Sequence, residues 1–90
     1  MKKENVKYVV GVLKYNGCEV CLHDIKTIRT QEVPTLENVI KLYTLLTGHS
    51  GVKYPIQVIC KIDNGVIDIY DDAAYYVDND PAIMDFIKAM

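Results

Sequence analysis

Ile56-Gln-Val-Ile-Cys-Lys-Ile-Asp-Asn-Gly-Val-Ile-Asp-Ile-Tyr70 carries the pattern of a β-hairpin. Ile56, Val58, Cys60 and Ile62 alternate with Gln57, Ile59 and Lys61, the period of a strand with one buried face. Asn64-Gly65 follows. That pair reaches positive φ at little cost and suits the tight primed turn of a hairpin, which returns the chain along Val66 to Tyr70. A hairpin alone cannot bury its apolar face, so a helix or a second hairpin must cover it.

Working outward, the same grammar recurs upstream. Val6 to Leu13 is rich in Val and Tyr, Asn16-Gly17 follows, and Cys18 to about Ile25 reads as the returning strand. After each hairpin comes a helical pattern. Leu36, Val39, Ile40, Tyr43 and Leu46 repeat at three and four residues, with Thr35 a fitting N-cap and Gly48 a fitting stop. Asp80 can cap a second helix that has Pro81 at its first position and Ile83, Phe86, Ile87 and Met90 on its stripe. Pro34-Thr-Leu-Glu-Asn-Val-Ile-Lys41 and Pro81-Ala-Ile-Met-Asp-Phe-Ile-Lys88 even look like copies of one segment.

The expectation is an α+β fold: a duplicated β-β-α unit, ββαββα, forming a four-stranded, mainly antiparallel sheet with two helices on one face. The whole chain, 1–90, forms one domain, with pseudo-repeats at about 6–47 and 54–90. Segments 26–34 and 71–79 are ambiguous. Ile25, Ile28 and Val33 could extend a strand, while Asp72 to Val77 could form a strand or a helical turn.

Composition excludes several function classes. No apolar run approaches the ~18 residues of a membrane span, so no membrane association is expected. The basic start, Met1-Lys-Lys-Glu-Asn5, lacks the apolar region of a signal peptide. Three cysteines, an odd count, argue against a disulfide framework and for a reducing, cytoplasmic setting.

Charge is divided unevenly. Residues 1–61 carry nine Lys/Arg and five Asp/Glu (9 − 5 = +4), and residues 62–90 carry Lys88 and seven Asp (1 − 7 = −6), which together give the net −2. Some of those aspartates mark turns and caps, as Asp63 and Asp80 do. Asp68, Asp71 and Asp72 have no such explanation, and Tyr70, Tyr75 and Tyr76 are interleaved with the acids. Tyrosine gives large contact area with few torsions to freeze, and an acidic field steers a basic partner. Asp68, Tyr70, Asp71, Asp72, Tyr75, Tyr76 and Asp78 are therefore the expected partner-binding residues. The Asp-Asn-Gly and Asp-Asn-Asp runs lack the rest of a calcium loop.

Other constellations are weaker. Cys18-Glu-Val-Cys21, with His23 beyond, has the spacing of a zinc knuckle or a redox pair. No second pair completes a tetrahedral set, and residues three apart on a strand point to opposite faces, so packing is the ordinary reading. Gly48-His-Ser-Gly51 follows a helix and misses the nucleophile elbow. His23-Asp24 are adjacent and make a poor general-base pair. Lys7, Lys14, Lys26, Arg29, Lys53 and Lys61 form at most a mild basic patch, and nucleic-acid binding is not expected.

The function these features point to is a small, non-enzymatic protein-binding module using its acidic, Tyr-bearing surface, without metal or cofactor. An inhibitor or adaptor fits this, for example one encoded by a mobile element and directed at a host nucleic-acid enzyme. The alternatives are a small-ligand-binding or weakly enzymatic domain, a zinc-binding domain using Cys18, Cys21 and His23, or a homodimer joined through sheet edges.

Overall fold

Gly11, in the middle of the first strand, lies where the sheet bends. In the computed structural model, which describes residues 6–30 and 35–89, strands β1 (Val6–Asn16) and β2 (Glu19–Arg29) form the first hairpin. Helix α1 (Leu36–Thr47) follows, then β3 (Ile56–Asp63), β4 (Val66–Ile69), α2 (Asp71–Asp78) and α3 (Pro81–Lys88). The strands make one antiparallel sheet in the order β2-β1-β3-β4. The α+β class and the four-stranded antiparallel sheet match the sequence reading.

Two bulges shape that sheet. Opposite β1, the register of β2 runs from Val10↔Lys26 to Val12↔His23, so Gly11 faces two residues, Asp24 and Ile25. Asp24 adopts φ 51°, a left-handed conformation that Asp tolerates better than most residues. A Cβ on Gly11 would lie 3.1 Å from the His23 carbonyl oxygen and 3.3 Å from Ile25 Cγ1, which is why glycine sits there. On the other side of β1, Val9↔Cys60 is followed by Val10↔Val58, leaving Ile59 as the extra residue of β3.

The helices lie on both faces of the sheet, which corrects the expected one-face arrangement. Along β1, Val6, Tyr8, Val10 and Val12 pack with Ile28, Val58 and α1's Val39 and Tyr43. Val9 packs with Leu22, Ile59, Cys60 and Ile62 beneath Ala73, Val77, Ile83 and Ile87 of α2 and α3. Neighbours Val9 and Val10 are both fully buried because each side of the strand has its own helical cover. The β3 bulge has the same effect: it places Ile59 and Cys60 in one cluster and Val58 in the other, so the simple alternation expected for β3 does not hold.

The ββαββα layout is corrected as well, because α2 intervenes between β4 and the last helix. Ala73 and Val77, four residues apart, give α2 a buried stripe. Pro81 then separates α2 from α3, since the residue before a proline avoids the helical region; Asp80 is extended, at φ −137° and ψ 94°.

The two look-alike segments are also out of phase. Thr35 caps α1 by accepting from Asn38 N at 3.2 Å, and Asp80 caps α3 by accepting from Ala82 N at 3.1 Å, as expected. Aligning the segments, however, matches Thr35 with Ala82 rather than with Asp80. The buried residues are Val39 and Tyr43 in α1 but Ile83 and Ile87 in α3, where the alignment pairs Val39 with the half-exposed Phe86. The hairpin turns differ too. Asn64-Gly65 forms the loop between paired Asp63 and Val66, both at positive φ, whereas Asn16 is still paired, with Glu19, and the first loop is Gly17-Cys18.

Of the ambiguous segments, 26–29 extends β2 and 71–78 is α2. Val33, Pro34, Met90 and the amino-terminal Met1 to Asn5 lie outside the described residues. Gly48 ends α1 at φ 81°, as expected of a left-handed cap. No helix among the described residues is long and apolar enough to cross a membrane.

Candidate functional site

The expected partner-binding residues are spread over β4 and α2. Asp68 is exposed on β4, opposite Lys61 in register. Tyr70 is the N-cap residue of α2 and turns inward, packing against the cluster that contains Tyr8. Burial raises the Tyr70 hydroxyl pKa, with Tyr8, Asp68, Cys60 and Asp72 adding to it. Tyr70 is thus half-buried at the edge of the core rather than free on the open surface.

On α2, Asp71, Asp72, Tyr75 and Asp78 are all exposed, and the spacing of 71, 75 and 78 puts them on one outer face. Asp71 and Asp72 occupy the first turn, where the helix dipole favours negative charge. Asp78 closes the helix at the end where that dipole disfavours a carboxylate. Asp78 is therefore the acid of this group with the weakest structural reason to be there.

Tyr75 remains 70% exposed, and its ring meets that of Tyr76 at 5.5 Å and 85°, edge to face. Beside them lies a cleft of about 280 Å³. Its walls are Tyr75, Tyr76, Asn79 and Asp80 on one side and residues 18–22, the β1–β2 turn and the start of β2, on the other. The two stretches that the sequence singled out separately, the Tyr-Tyr pair and Cys18/Cys21, therefore face each other. Cys18 is exposed in the turn, Cys21 is half-buried, and both are free thiols. Among the described residues no three His, Cys, Asp or Glu side chains converge to hold a metal, so the zinc alternative lacks a ligand set there. Cys60 is a core residue, and burial pushes its thiol up to about 11, which keeps it protonated.

A second polar centre lies on the opposite face, and sequence reading missed it. His49 Nε2 is 2.7 Å from Asp24 Oδ2, and Lys14 Nζ is 3.6 Å from the same oxygen. The Tyr43 hydroxyl donates to the Asp24 carbonyl at 2.6 Å. The hydrogen bond from His49, with the nearby Lys14 charge, holds the Asp24 carboxyl below its ordinary pKa despite partial desolvation. Burial, with the Asp24 charge, raises the Tyr43 hydroxyl to about 12. Lys14 and Lys53 lie 4.6 and 5.3 Å from the Tyr54 ring centre, and His49 meets Tyr54 edge-on at 6.2 Å.

This centre clamps the loop after α1 onto the β2 bulge. Its partner for Asp24 is His49, twenty-five residues away, rather than the adjacent His23, and no local spacing rule could reveal that. The one available signal was Asp24 itself, a residue type that accepts left-handed φ within a strand pattern. Lys14 and Lys53 are engaged here, which removes two members from the mild basic patch. α1 also leaves Leu42, Leu45 and Leu46 exposed, an apolar flank beside the exposed Asn38 and Lys41.

Comparison of the chain with protein-family models, with curated proteins and with solved structures finds no match in any of the three.

Proposed function

We propose that the chain is a non-enzymatic protein-binding module, an inhibitor or adaptor, that engages a basic surface of its partner through α2 and the adjoining cleft. The observation that carries this reading is Tyr75, 70% exposed beside carboxylates that form no ion pair among the described residues. A large aromatic ring left in water is of the residue type enriched at interface hot spots, and the carboxylates around it suit a polar rim. Residues 71–88 hold five Asp against Lys88 (1 − 5 = −4), a field that speeds encounter with a basic partner and weakens as salt rises.

The small-ligand alternative would use the same cleft. Its volume, about 280 Å³, falls just below the ~300–1,000 Å³ of typical small-molecule pockets. The edge-paired homodimer would use β2 or β4. The Asp24 bulge interrupts the β2 ladder, and β4 has only four residues, so neither edge offers a long regular template.

The test is affinity purification from the native cell with the intact protein and with a Tyr75→Ala/Asp78→Asn double variant, read by quantitative mass spectrometry. A specific protein recovered with the intact chain should fall at least tenfold with the variant, while the melting temperatures stay within a few degrees. Equal recovery by both forms overturns the proposal.

A further inference from the structure

We infer that the cleft between α2 and the β1–β2 turn receives one basic side chain, Lys or Arg, projecting from the partner protein. This rests on the protein-binding reading above and names the chemistry that the site recognises.

Several polar atoms around the cleft remain uncommitted. Asn79 Nδ2 donates to the Tyr75 carbonyl at 2.8 Å, which leaves its amide oxygen as an acceptor. Asp80 uses Oδ1 to cap α3, which leaves Oδ2. Glu19, exposed at the start of β2, enters no ion pair among the described residues. The two charged groups that line the cleft, the carboxylates of Glu19 and Asp80, are therefore acceptors with oxygen left over for a donor. None of its lining residues is Lys, Arg or His.

The rings add the second requirement. Tyr75 and Tyr76 stand at 85° to one another, so their faces form a corner rather than a stack. A cation in such a corner meets the negative face of one ring, and its aliphatic stem covers the other. Acceptors around an aromatic corner complement a donor that is positively charged and carried on an apolar stem. Lysine and arginine are the side chains of that description. The volume suits a single side chain better than a folded ligand.

The experiment titrates the full-length, ¹⁵N-labelled protein with acetyl-Gly-Arg-Gly-amide, its lysine analogue and its norleucine analogue, which keeps the stem and removes the charge. The Arg or Lys peptide should shift the amides of Cys21, Tyr75, Tyr76 and Asn79 saturably, with half-saturation in the range of roughly 1–20 mM. Tyr75→Ala, and separately Glu19→Gln in the exposed strand start, should each raise the half-saturation point at least threefold. Equal shifts with norleucine, shifts confined to other residues, or no saturable shift overturn the inference. If the basic peptides fail while recovery of the partner still depends on Tyr75 and Asp78, only the cleft assignment falls. If that recovery is indifferent to the double variant, the protein-binding reading itself falls.

Discussion

The two faces of the sheet have equally apolar foundations but treat their polar groups in opposite ways. Under α1, Asp24, His49, Lys14 and the Tyr43 hydroxyl satisfy one another, and on the helix surface Glu37 and Lys41 pair at 3.6 Å. Over α2 and α3, five carboxylates meet one lysine, and no ion pair forms among the described residues. Tyr43 is fully buried on the first face, whereas Tyr75 is 70% exposed on the second. A face whose polar groups are mutually satisfied holds the fold together. A face that leaves them open keeps them available for another molecule.

The largest difference between the faces should come from one substitution made on both. Tyr43→Ala removes a fully buried ring and its hydroxyl bond and should cost about 3–5 kcal/mol, as large aromatic-to-alanine changes in cores do. Tyr75→Ala should stay within about 0.5 kcal/mol. Urea unfolding of both variants measures the difference; similar losses would show that α2 is part of the core support. Next in size, Gly11→Ala should cost about 1–3 kcal/mol, because the new methyl meets the His23 carbonyl at 3.1 Å inside the bulge. An unchanged unfolding midpoint would mean that the bulge relaxes freely.

Acid should also act differently on the two faces. The Asp24 carboxyl is depressed in the folded state, chiefly by the His49 hydrogen bond, so its contribution is complete above its ordinary value of 3.8. It is lost as pH falls through the lower folded value. Its side chain is 47% exposed, so solvent screening keeps the effect modest. Asp24→Asn should flatten that acid limb in a pH series of melting curves, whereas Asp78→Asn should leave it in place. On the alkaline side the sign reverses. The Tyr43 hydroxyl is raised from 10.0 to about 12, so stability is intact below pH 10 and falls as pH rises through that interval.

Local chemistry made much of this architecture legible. The Thr35 and Asp80 caps, the Gly48 stop and the Asn64-Gly65 turn each follow from one or two residues with a strong backbone preference. The placement of helices on two faces was also written in the chain, in the unbroken run Tyr8-Val-Val-Gly-Val-Leu13, which shows no polar alternation and so marks a strand covered on both sides. The apparent repeat implies a single covered face, which that run contradicts. Similar residues in the two segments fall at different helical positions, so likeness of composition did not become likeness of burial. Leu36 and Leu46, which belong to the apolar repeat of α1, are exposed at 46% and 59% because its buried stripe centres on Val39 and Tyr43. At the candidate site, sequence located Tyr75, Tyr76 and Asp78 but could not show that Cys18 and Glu19 form the facing wall. That wall depends on α2 packing over β3 and on the sheet carrying the first hairpin alongside it.

The smallest expected effect separates charge placed for stability from charge placed for recognition. Asp71 and Asp72 sit in the first turn of α2, where each carboxylate should contribute about 0.3–1 kcal/mol through the helix dipole. Asp78 ends the same helix, where the same field opposes it, and Asp80 already serves the amino end of α3. Neutralising the two ends should therefore move stability in opposite directions: Asp71→Asn down and Asp78→Asn up, each by a few tenths of a kcal/mol at low salt. In a domain of this size that is a shift of about 1–3 °C in melting temperature for each variant, which added salt should erase. A drop for both would mean that Asp78 has a structural partner, and it would remove the strongest reason to read it as a contact for a basic protein. A rise for Asp78→Asn with a fall for Asp71→Asn would mean that the chain tolerates a destabilising charge at the end of α2, where neither packing nor the helix dipole calls for one.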